Sequence, residues 1–174
     1  QLIEVQSGGV DLFLVETISN ITEAKAAIAA LKHYNKKIYI GLTLMDDLSN
    51  TLRSGETLEE AVEHFSDGKI DALLLNCSFP EAIDEAMKIL QTSGLQYGGY
   101  ANGFTSIENL APGTTVDGLQ ARIDLSPEKY AEHVLGWLDM GATIIGGCCE
   151  IGPEHIKYLS QLLTAKGHEL TTLV

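Results

Sequence analysis

Five short apolar runs, at residues 10–15, 37–43, 71–76, 95–101 and 142–146, alternate along the chain with segments of helix-forming composition. Each run is nearly continuous in aliphatic and aromatic residues, the pattern of a strand covered on both faces. Parallel strands cannot be joined by a tight hairpin and need a crossover of about a dozen residues, which the intervening segments supply. The alternation predicts an α/β fold with five consecutive strand–helix units on a parallel sheet. With 174 residues and 45% hydrophobic composition, the chain can bury one sizeable core as a single domain.

The helical segments carry their own start signals. Asn20 precedes Thr22-Glu23-Ala24 and a run of strong helix formers, and Thr57 and Glu60 stand at capping-box spacing. Pro80, Pro127 and Pro153 each stand where a proline opens a first turn. These signals predict helices over 22–31, 57–65, 80–90, 127–138 and 153–163, and residues 1–6 read like the middle of another. Residues 102–125 are rich in Gly, Thr, Asn and Pro without periodicity. Unstructured stretches longer than about 12 residues inside a compact domain are usually functional, so this one is a candidate lid or binding loop.

A formal net charge of -13 and a pI near 4.6 argue against nucleic acid or an anionic membrane as partner. A small neutral or cationic ligand fits that field better. No apolar run approaches the roughly 20 residues that cross a bilayer. Three cysteines cannot all pair internally, and with no secretory leader in view the expectation is a reducing, cytoplasmic compartment.

The cysteines are placed where a metal wants them. Cys77 closes the third apolar run, and Cys148 and Cys149 follow the fifth. Two adjacent thiolates plus a third from another strand end supply three corners of a tetrahedral zinc site and leave the fourth open, the pattern of a catalytic metal. Cys77 alone reads as a small core residue; the alternative for Cys148-Cys149, a redox pair, is disfavoured because adjacent cysteines form a strained disulfide and lack the usual two-residue spacer. Glu16 follows the first run, at the rim where parallel α/β sheets assemble active sites, and reads equally as a helix-capping carboxylate. Gly146 and Gly147 let backbone approach a ligand closely. Asn76 is read as bonding backbone at its strand end, Asp46-Asp47 as a solvated loop, Trp137 as core, and the five histidines as structural or solvated.

Gly146-Gly-Cys-Cys-Glu-Ile-Gly-Pro153-Glu-His-Ile156, Asn76-Cys77 followed by Pro80, and Val15-Glu16-Thr17 followed by Glu23-Ala24 resemble the homocysteine S-methyltransferase family. The resemblance implies a (β/α)8 TIM barrel, one Zn2+ held by Cys77, Cys148 and Cys149, and transfer of a methyl group to homocysteine to give methionine. It implies that Glu16 holds the amino group of homocysteine, that Gly147 lies where backbone meets the amino acid, and that Asn102 stands at the active-site rim. The five strands would be the fourth to eighth of the barrel, so the chain is expected to be one domain, residues 1–174, lacking its amino-terminal portion. Glu150-Ile-Gly152 departs from the Gly-Thr-Thr that many members carry after the cysteine pair.

A sulfonium donor such as S-methylmethionine or S-adenosylmethionine is the favoured methyl source. The alternatives are the homocysteine-binding module of a cobalamin-dependent methionine synthase, or a betaine-dependent enzyme. A reading of another class is a catalytically silent, zinc-binding structural fragment, for which homo-association through exposed sheet edges is expected.

Overall fold

A computed structural model describes residues 2–66, 68–107 and 115–171. After α1 (Leu2–Gln6), the strands β1 (Leu12–Ile18), β2 (Lys37–Leu42), β3 (Ala72–Asn76), β4 (Tyr97–Tyr100) and β5 (Ile144–Ile145) alternate with α2 (Ile21–Leu31), α3 (Leu58–Phe65), α4 (Pro80–Leu90), α5 (Pro127–Asp139) and α6 (Pro153–Ala165). All strand pairs are parallel, in the order β1-β2-β3-β4-β5. A doubly wound sheet reverses its strand order at a switch point, and this sheet does not; sequential order is that of a barrel wall.

The expected caps form. Asn20 accepts from the Glu23 N–H, and Thr57 with Glu60 makes the reciprocal capping box. Prolines sit in the first turns of α4, α5 and α6. Strand boundaries differ from expectation: β4 and β5 are shorter than their apolar runs, and β1 runs to Ile18 instead of ending at 15, with its register against β2 shifting between Val15 and Ile18. The 102–125 stretch also carries structure. Phe104 and Ala121 form an antiparallel bridge, and Val116–Gly118 is a 3-10 turn. Residues 108–114 of that loop lie outside the described residues.

Successive side chains along a strand point to opposite faces, so each strand feeds two clusters. On the helix side, Ile40, Leu42, Leu73 and Leu75 pack with Leu31, Phe65, Ile83, Met87 and Trp137 in the main core. On the other side Tyr39, Ala72, Leu74, Tyr100 and Ile144 form a smaller cluster that Leu12 and Cys148 join. Burial of each large apolar side chain stabilises the fold by about 1.5–3 kcal/mol. Among the described residues, no helix is long and apolar enough to cross a membrane.

Candidate metal centre and amino-acid subsite

Cys77 follows the last residue of β3, and Cys148 and Cys149 lie just beyond β5. Their sulfurs lie within 4.8 Å of one another, all three residues partly exposed, and form the group of side chains that can hold a metal ion among the described residues. The Cys148–Cys149 sulfur separation is 3.8 Å. Zinc–thiolate bonds of about 2.3 Å at tetrahedral angles require sulfur pairs about 3.8 Å apart, so the donor set fits zinc in chemistry and the Cys148–Cys149 pair fits it in spacing. The strand that intervenes in the sheet, β4, contributes no sulfur.

As thiols, the three groups compete for one negative charge. A hydrogen bond from Cys77 brings Cys148 down to about 6 despite its partial burial. The same bond, with burial, pushes Cys77 up, while burial and the charge on Cys148 raise Cys149. A cluster that stabilises one thiolate and resists a second lacks the positive charge that a cation supplies.

Backbone at the rim is bent to aim these groups. Thr17, Cys77 and Glu150 have φ of 61°, 52° and 64°, the left-handed region that residues with a Cβ disfavour. Each adjoins or is a candidate residue: Thr17 follows Glu16, and Glu150 follows Cys149. Thr17 is held by Asn76, which is fully buried; Asn76 Oδ1 accepts the Thr17 N–H at 2.9 Å and its Nδ2 donates to Thr17 Oγ1 at 2.8 Å. The backbone-bonding role expected of Asn76 is what the structure shows.

Glu16 therefore lies inside the bulged end of β1 and not after it, because Asn76 carries the strand past the bend at Thr17. Its exposed carboxylate accepts a 3.2 Å bond from the Tyr100 hydroxyl. Burial, then the Glu16 charge, raises the Tyr100 phenol and keeps it a donor. Gly41 makes the contact possible: a Cβ there would meet Tyr100 Oη at 2.8 Å and Asn76 Oδ1 at 2.9 Å. Neither Tyr100 nor Gly41 carries a motif that marks this role; both act through strands distant in sequence.

Gly147 is partly exposed, and the space its Cβ would fill is taken by Ile151, whose Cγ2 lies 2.3 Å from that position. Packing alone thus requires glycine here. Asn102 is fully buried, its Oδ1 accepting the Phe104 N–H at 3.1 Å and its Nδ2 without a hydrogen-bond partner among the described residues. Its side chain is buried just past the carboxyl end of β4. Gly103 then donates to the Cys149 carbonyl at 2.8 Å, tying the loop to the cysteine pair. Arg122 fixes the loop's return arm, donating to both Glu81 oxygens at 2.8 and 2.7 Å.

Buried Tyr130 joins the exits of β4 and β5, accepting the Ala101 N–H at 3.2 Å and donating to the Gly146 carbonyl at 2.7 Å. His155 packs edge-on against its ring. Asp46 is no solvated carboxylate: it accepts the Phe79 N–H at 2.8 Å and pairs with Arg53 at 3.0 Å. Asp47 is exposed and bonds the Ser49 N–H. Trp137 is fully buried, as expected, and its indole N–H donates to Asp84.

A model of the homocysteine S-methyltransferase family matches residues 1–163. The oxidized form of the Escherichia coli homocysteine methyltransferase MmuM superposes with a TM-score of 0.71 at 26% identity, over 92% of this chain and 48% of that one. Its metallated form gives 0.70 at 25% identity, with the same coverage. An archaeal fructose 1,6-bisphosphate aldolase, 13% identical with a TM-score of 0.52, is alike in fold alone. The chain spans about half the length of the MmuM structures it matches. It is a member of the homocysteine S-methyltransferase family.

Proposed function

We propose that the protein acts in zinc-dependent transfer of a methyl group to the thiol of homocysteine, giving methionine. The observation that carries this reading is the meeting of three cysteine sulfurs from two strand ends within 4.8 Å at the carboxyl rim of the sheet. Cys77, Cys148 and Cys149 would hold the ion, and when bound it supplies the positive charge that converts a substrate thiol to a thiolate at neutral pH.

The chain's own residues bind and orient. Glu16, held by Tyr100, accepts hydrogen bonds from the ammonium group of homocysteine, and the Gly147 backbone lies beside the amino acid. Asn102 supports this wall through its bond to the Phe104 N–H. In the transfer, the homocysteine sulfur loses its proton to solvent and its electron pair forms the new bond to the methyl carbon. The bond from that carbon to the donor breaks, and its electrons return to the donor atom. A sulfonium donor suits this step because the returning pair neutralises its charge, and the net charge of -13 attracts such a cation. We place the five strands as the fourth to eighth of a (β/α)8 barrel within a single domain; the cover of 48% of MmuM supports a part of such a barrel.

Elemental analysis of protein purified without chelator tests the metal. About one zinc per chain is expected, falling to none in Cys77→Ala or Cys148→Ala. Methionine formation from homocysteine, with S-methylmethionine, S-adenosylmethionine and betaine offered separately to the full-length protein, tests the reaction. Turnover retained without the cysteines would overturn the proposal.

A further inference from the structure

Cys77 reaches the rim in a conformation that a residue with a side chain disfavours, with φ of 52°. Something outside the cysteine set must hold it there. The Cys77 N–H bonds the Tyr100 carbonyl at 3.3 Å, but its own carbonyl is gripped from a different element, the segment between β2 and α3. That carbonyl accepts from Arg53 Nη2 at 3.4 Å and from the Thr43 hydroxyl at 3.3 Å. The same guanidinium donates through Nε to Thr43 Oγ1 at 3.1 Å and through Nη2 to Asp46 Oδ2 at 3.0 Å. Asp46 Oδ1 in turn accepts the Phe79 N–H at 2.8 Å, two residues beyond Cys77.

The grip is enclosed. Thr43 is 2% exposed, and the Arg53 and Asp46 side chains are 23% and 16% exposed. Its planar fork lets one arginine serve a hydroxyl, a carboxylate and a carbonyl together, which a lysine ammonium on a flexible stem does not reproduce. None of these bonds involves a sulfur, so the cluster shapes the path of the chain through Cys77 without competing for the metal.

We infer that Arg53 is a positioning residue of the metal centre: through Thr43 and Asp46 it locks the Cys77 turn so that Cys77 Sγ meets the Cys148-Cys149 pair. The inference rests on the metal-binding reading above. Groups one layer out from metal ligands set ligand orientation, and their removal commonly weakens metal binding about 10–100-fold.

The experiment compares the unmodified protein with Arg53→Gln, Arg53→Lys and Thr43→Val. Four properties are measured: zinc affinity by competition with a chromophoric chelator, the ligand-field spectrum with cobalt(II), melting of the metal-free protein, and amide exchange over residues 76–79. Arg53→Gln is expected to bind zinc about 10–100-fold more weakly and to shift the cobalt bands, with the metal-free protein still folding cooperatively and exchange at 76–79 faster. Arg53→Lys recovers part of the affinity, because it keeps the pair with Asp46 and loses the fork. Zinc affinity within twofold of the unmodified protein and an unaltered cobalt spectrum in Arg53→Gln would overturn the inference. If Arg53→Gln does not fold, Arg53→Lys and Thr43→Val decide by the same criterion. Should the unmodified protein take up no zinc, the metal reading falls by itself; exchange at 76–79 then decides, faster in the variants supporting the lock and unaltered overturning it.

Discussion

Asn76 brings no reactive group to the rim, yet both ends of its amide are committed to Thr17, 59 residues earlier in the chain. Those bonds hold a β-branched residue at φ 61° and so set the direction in which Glu16 leaves the sheet. Asn76→Ala leaves a Thr17 N–H without its partner and is expected to lower stability by about 1–3 kcal/mol, read from urea denaturation midpoints. An unchanged midpoint would show that the bend at Thr17 is held by other contacts. At this scale the sequence was legible where chemistry is local and dense. Gly-Gly-Cys-Cys marks itself, and Asn76 at a strand end suggests backbone bonding. The bond of Tyr100 to Glu16 and the roles of Gly41 and Arg53 were not legible, since each acts on residues brought near only by the sheet. Asp46 misled for the same reason: its partners, Arg53 and the Phe79 N–H, are invisible in an acidic dipeptide.

Between strands and helices, spacing decides what can be substituted. A Cβ on Gly98 of β4 would fall 1.7 Å from the Ile144 carbonyl oxygen of β5, whereas one on Gly136 of α5 meets nothing within 4 Å. Gly98→Ala is expected to cost about 1–3 kcal/mol or more and to weaken zinc binding, because β5 leads directly into the cysteine pair. Gly136→Ala is expected to gain about 0.5–1 kcal/mol from helix propensity. Thermal melts of the two variants should move in opposite directions.

The α4–α5 contact is pH-sensitive. His133 on α5 bonds Asp84 of α4 at 2.8 Å, and this bond, opposed by burial and aided by the charges of Asp84 and Glu81 against that of Arg122, raises its pKa above 6.5. A raised folded-state pKa means that the stabilisation is full below about 6.5 and fades as pH climbs through the higher folded value. Melting temperature followed across that window should fall, and Asp84→Asn, which can still accept from Trp137, should flatten the dependence. Helix boundaries were legible because capping residues and first-turn prolines act within one turn. The end of β1 was not, since its last residues are extended by a bond to β3.

For the molecule as a whole, a metal held by Cys77, Cys148 and Cys149 would link segments about seventy residues apart in sequence. Ligand present at a hundred times its dissociation constant stabilises the folded state by about 2.7 kcal/mol. For a chain of this size each kcal/mol shifts melting by about 2–4 °C, so a strong chelator is expected to lower the melting temperature by about 5–11 °C. Cysteine variants should melt at the chelated temperature with or without zinc. The alternation of strands and helices made the parallel sheet legible, but sequential strand order rests on pairings that apolar runs do not encode.

The placement of the cysteines also makes the site a gauge of curvature. Neighbouring strands stand about 4.7–4.9 Å apart, so in a flat sheet β3 and β5, with β4 between them, are about 9.6 Å from each other. Their sulfurs nonetheless lie within 4.8 Å. The gap is closed by side chains that reach toward each other from the segments just past β3 and β5, and a wall curved toward a common axis shortens that reach. A cation at this point would favour the curled form over a flatter one by its difference in affinity for the two, so the grip on zinc would respond to the curl of the wall.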